Sequence, residues 1–72
     1  MLNKKEALKF ISDNQENGVK IFGVERFVEV IEGYVPDIDG IADFSELSCE
    51  ESHAAARDFI NIFDDGLFEF VL

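Results

Sequence analysis

Residues 23–33 read Gly23-Val24-Glu25-Arg26-Phe27-Val28-Glu29-Val30-Ile31-Glu32-Gly33, and the period assigned to this stretch decides the fold. Val24, Phe27, Val28 and Ile31 fall at i, i+3, i+4 and i+7, the spacing of one buried helix face, with Glu25, Glu29 and Glu32 on the opposite side. That spacing predicts a helix over 23–33. Gly33 closes it, and Pro36 prevents its continuation.

Upstream, Asn3 followed by Glu6 has the form of a reciprocal helix cap. Ala7, Leu8 and Ile11 form an apolar stripe with Phe10 beside it, and Asn17-Gly18 marks a stop. A first helix is therefore predicted over 3–15. Val19-Lys20-Ile21-Phe22, between two glycines, allows a short strand.

Downstream, Ser48-Cys49-Glu50-Glu51 is a second capping box. Ala55, Ala56, Phe59, Ile60 and Phe63 share a face behind it, which predicts a helix over 48–64. His53 falls beside the polar face of that helix. Asp64 and Asp65 oppose the helix dipole, which points to a contact or a turn that uses them, and Gly66 suits a left-handed closing residue. Residues 34–47 are left as an acidic connection packed onto the core through Ile38, Ile41, Phe44 and Leu47. The end of the sequence, residues 67–72, is rich in β-formers and allows pairing with 19–22, although Phe63, Leu67, Phe70 and Val71 also keep helical spacing. The expected fold is mainly α: a small three-helix domain spanning residues 1–72, with the acidic loop between helices two and three and at most two short strands, 19–22 and 67–72.

Charge narrows the function more than the fold does. The chain has 72 residues and a net charge of −10. Residues 1–26 hold five basic and four acidic side chains, whereas residues 27–72 hold one basic and twelve acidic ones. Such a field repels nucleic acid and anionic membrane surfaces and attracts basic protein surfaces. No apolar run approaches the roughly 20 residues that cross a bilayer. Cys49 has no partner for a disulfide and no Cys/His cluster for zinc, which suits a reducing, cytoplasmic setting. With one histidine, no Gly-rich phosphate loop and no nucleophile–base grouping, the sequence predicts neither catalysis nor a cofactor.

Asp37-Ile38-Asp39-Gly40-Ile41-Ala42-Asp43-Phe44-Ser45-Glu46 resembles the C-terminal part of an EF-hand calcium loop. The resemblance implies a turn at Gly40, oxygen ligands from Asp37, Asp39 and Asp43, a closing carboxylate at Glu46, and a helix on either side. Val35 occupies the position of the first ligand. The same carboxylates also extend a second pattern. Glu51, Asp58 and Asp65 repeat every seven residues along one side of the third predicted helix, with Glu50 nearby. Asp37, Asp39, Asp43, Glu46, Glu50, Glu51, Asp58 and Asp65 are accordingly the expected partner-binding residues.

The expected function is that of a non-enzymatic inhibitor or adaptor docking on a basic, nucleic-acid-binding protein surface. Nucleic-acid mimics that block restriction or CRISPR nucleases, and immunity proteins that cap toxic nucleases, are analogies of size and charge. A degenerate calcium module is one alternative. A homodimeric structural subunit joined through aromatics among Phe10, Phe22, Phe68 and Phe70 is the other.

Overall fold

A computed structural model describes residues 1–72 as α1 (Lys4–Glu16), β1 (Gly23–Val30), β2 (Gly33–Asp43), α2 (Cys49–Ile62) and β3 (Leu67–Val71). The strands form one antiparallel sheet in the order β2-β1-β3. The fold is therefore α+β, and the three-helix expectation is corrected at its central element. Both predicted end helices form, and both capping boxes are made: Asn3 with Glu6, and Ser48 with Glu51.

The stretch 23–33 is a strand and a turn because its residues satisfy two periods at once. Val24, Val28 and Val30 also alternate with Glu25 and Glu29, and β-branched and aromatic side chains suit a pleated surface. Ile31 and Glu32 make a two-residue connection between the paired Val30 and Gly33, and the chain reverses into β2 with Gly33 at φ 132°. The expected acidic loop thus becomes the edge strand β2, where Pro36 is tolerated because only one side of the strand is paired.

Residues 19–22 form no strand. Val19 and Ile21 turn to α2: Ile21 N–H donates to Ser52 Oγ, and the carbonyl of Val19 accepts from His53 Nε2 at 2.7 Å. Phe22 N–H donates to the Val71 carbonyl at 2.7 Å, and the Phe22 carbonyl accepts from Phe44 N–H at 2.8 Å. β3 pairs along its length with β1, from Gly23↔Val71 to Phe27↔Leu67, and of the expected pairing with 19–22 only the Phe22–Val71 bond is made. The main chain of Leu2 extends the sheet by one bridge to Phe68, exchanging bonds of 2.9 and 2.7 Å.

The core is built between the helix pair and one face of the sheet, from Ala7, Ile11, Ile21, Val24, Phe44, Ala56, Ile60 and Phe68. Phe10 of α1 stacks on Phe70 of β3 at 4.7 Å between ring centroids. Cross-strand register assigns Val24, Arg26, Ala42, Phe68 and Phe70 to the helix-backed face. No helix is long and apolar enough to cross a membrane.

Candidate functional site: an anionic exterior organised by Arg26

Arg26 is the polar centre of the molecule. It lies mid-strand on β1, where the β1–β2 register breaks: Glu25 pairs with Ile41 and Phe27 with Pro36, so Asp37–Gly40 bulges out opposite Arg26. Its Nη1 donates to Asp37 Oδ2 at 2.9 Å, Nη2 to Asp65 Oδ1 at 2.6 Å, and Nε to the Asp65 carbonyl at 3.1 Å. The guanidinium also lies 4.4 Å from the Phe63 ring centroid, a favourable cation–π distance. Only 12% of its side chain is exposed, against 22% for Asp37 and 88% for Asp65. The Asp37 pair is therefore the shielded one, and solvent screens much of the Asp65 pair. Gly40 and Gly66 make the approach possible: a Cβ would lie 2.7 Å from Arg26 Cβ at the first and 2.6 Å from Arg26 Nε at the second.

Thus two of the eight sequence-predicted binding residues, Asp37 and Asp65, hold the fold together. Asp39 follows in the bulge, its N–H bonded to Asp37 Oδ1, and its side chain is exposed. Four others gather where β2 passes into α2. Asp43 accepts from Ser45 N–H and Glu51 from Ser48 N–H, and those hydrogen bonds hold both carboxyls below the usual carboxylate range. Glu46 and Glu50 are exposed and lack ion-pair partners. Asp58 stands alone on the exposed side of α2 between the two groups, which the 14-residue helix separates by about 20 Å. The exposed stripe Glu51–Ala54–Asp58–Asn61 connects them.

Five of the six cations bond to groups of the chain itself, and Lys5 is exposed. Lys4 Nζ donates to the carbonyl of Phe63 at the end of α2, Lys20 to that of Ser45, and Arg57 to Ser12 and Gln15 of α1. Lys9 pairs with Asp13. Of sixteen carboxylates only Asp13, Asp37 and Asp65 form ion pairs.

The EF-hand frame is also corrected. Its implied ligand segment is a bulged strand preceded by another strand, Asp37 faces a guanidinium, and no group of three or more His, Cys, Asp or Glu side chains is placed to hold a metal ion. His53 is buried rather than on the polar face, at 2% exposure. Its Nδ1 has no partner, and donation to the Val19 carbonyl fixes the proton on Nε2. Among the aromatics proposed for a patch, Phe68 is buried and Phe10 packs on Phe70, while Phe22 is exposed beneath Lys20 Nζ at 4.6 Å.

Sequence reasoning missed Arg26 itself. The available signal was a lone arginine flanked by apolar and acidic residues at the centre of a strand-compatible stretch. Comparison with known proteins gives no matching family model, no matching curated protein and no matching solved structure.

Proposed function

We propose that the chain is a non-enzymatic protein-binding module, an inhibitor or adaptor whose carboxylates dock on a basic, nucleic-acid-binding protein surface. One observation carries this reading: thirteen of sixteen carboxylates are outside ion pairs, while five of six basic side chains are engaged within the molecule. The net charge of −10 is thus carried by carboxylates that have no neutralising partner within the molecule. The field of that charge accelerates encounter with a cationic surface and selects against anionic ones.

The residues best suited to contact a partner are Asp39, Glu46, Glu50 and Asp58, which are exposed and carry no ion pair. Glu51 and Asp65 combine exposure with structural duties, so substituting them confounds binding with folding. The test is retention of basic host proteins on the immobilised chain, read against salt and against a Glu46→Lys/Glu50→Lys/Asp58→Lys variant. Retention is expected to fall steeply with added salt and to be lost in the variant. Retention unchanged at high salt and in the variant sinks the reading.

A further inference from the structure

The helices back only one face of the sheet. By register the other face presents four cross-strand rows: Val71, Gly23 and Asp43; Glu69, Glu25 and Ile41; Leu67, Phe27 and Pro36; then Glu29 and Tyr34. Tyr34, Ile41 and Val71 are about half exposed or more, and Pro36, Glu29 and Glu69 are exposed. No lysine or arginine stands in any of these rows. Arg26 belongs to the helix-backed face and is already bonded to Asp37 and Asp65.

Within this face Glu25 and Glu69 are direct cross-strand partners. Like charges in that relation are destabilising, and opposite charges would be favourable. Nothing in the chain relieves the pair. The face is therefore an apolar surface with an uncompensated anionic centre, and its complement is apolar with cationic flanks. A second copy of this chain is a poor occupant, because it brings the same carboxylates to the contact and a further charge of −10.

We propose that this helix-free sheet face, centred on Glu25, Phe27, Glu29, Tyr34, Leu67 and Glu69, docks an amphipathic helix of a partner protein whose Lys or Arg residues flank an apolar stripe. The dimensions agree. Three strands about 4.8 Å apart span roughly 10 Å, close to the diameter of a helix with its side chains. Gly23 to Glu29 extends about 20 Å along β1, the length of about 13 helical residues. A helix there would complete a three-layer arrangement in which both sheet faces are covered. A cleft of about 330 Å³ opens at one end, where β3 stops opposite Phe27, and is lined by Phe27, Glu29, Tyr34 and Leu67 together with the Arg26–Asp65 pair. Asp65 is taken by Arg26 there, so the apolar walls and Glu29, which has no ion pair, are what suit the stem and head of one long basic side chain.

This surface is distinct from the α2 stripe, and the two are tested separately. The probe is a synthetic helical peptide of about 18 residues, with Leu at i, i+3, i+4 and i+7 and Lys elsewhere, titrated into the ¹⁵N-labelled full chain. Amide shifts are expected at Glu25, Phe27, Glu29, Leu67 and Glu69. Affinity should fall at least 10-fold in Glu25→Gln/Glu69→Gln, a neutral near-isosteric pair whose spectrum reports folding directly. At about 0.15 M salt, where charges more than about 8 Å away are largely screened, it should fall far less in Glu46→Gln/Glu50→Gln/Asp58→Gln. Shifts confined to α2, equal affinity in Glu25→Gln/Glu69→Gln, or equal binding of a scrambled Lys/Leu peptide of the same charge overturns the proposal. So do shifts of the same residues on concentrating the chain alone, which would assign the face to a second copy.

Discussion

The two ends of the β1–β2 hairpin are held by different forces. Near the helices, Val24 is buried with Ile11, Ile60 and Phe68 in one apolar core. At the far end, from Val28 to Ile38, the strands pair only with each other, and Val30, Ile31, Tyr34, Val35 and Ile38 are exposed, Ile31 completely at 104%. Arg26 stands at the boundary, tying the bulge of β2 to the turn after α2. Burial stabilises the near end. Backbone pairing and one polar clamp hold the far end, and this division is what makes the projecting strands available as a surface.

The difference is broken most strongly at Phe68. Phe68→Ala removes a fully buried ring and is expected to cost about 3–5 kcal/mol. That matches the stability of a few kcal/mol expected for a core of this size, so the cooperative urea transition should disappear. A transition little displaced would show that the near end does not depend on its core. Arg26→Met follows at about 2–3 kcal/mol, discounted because Asp65 is largely solvated. Hydrogen exchange should accelerate in residues 34–41 before it does in α1. Uniform acceleration would mean that the clamp does not separate the two ends.

Ser48→Ala removes the α2 cap at about 1 kcal/mol, and it also changes the acid response. Glu51 and Asp43 have carboxyl pKa values lowered by hydrogen bonds from Ser48 and Ser45. A lowered folded-state value adds stability that is present above the ordinary carboxylate range, near pH 4, and is lost as pH falls through the lowered value. The residue 48 N–H still donates to Glu51 in the variant, so carboxyl NMR titration of Glu51 should move only part of the way up to the ordinary range, while that of Asp43 stays low. Glu69→Lys should stabilise the sheet by about 0.2–1 kcal/mol, because it turns the like-charge pair with Glu25 into an attractive one. A raised denaturation midpoint checks this. The smallest effect is expected at the hairpin tip, where Ile31→Ala should change stability by less than about 0.5 kcal/mol. A larger loss would assign Ile31 a packing role that its exposure denies.

The sequence disclosed the ends of the fold better than its middle. Asn3/Glu6 and Ser48/Glu51 are local devices complete within four residues, and both form. Val24 to Ile31 satisfies the helical and strand periods together, so the choice fell to long-range pairing with Leu67–Val71, which no window contains. The turn gave no warning either. Ile31 and Glu32 are not the Asn-Gly or Asp-Gly pair that marks a tight hairpin, and neither has positive φ. The exposed carboxylates of α2 were legible from helical spacing. The Arg26 clamp and the Glu25–Glu69 opposition were not, because both depend on strand register rather than on distance along the chain.

The bridge between Leu2 and Phe68 bears on how quickly the molecule can assemble. Both helices and the β1–β2 hairpin are local and can form within microseconds. The central strand nevertheless waits for a neighbour some forty positions later, and Leu2 waits for one sixty-six positions away. Closing such large loops precedes the reward of the contact, which slows folding. The rate-limiting event should therefore be the arrival of β3, with the two hairpin strands waiting half-finished beside an open edge.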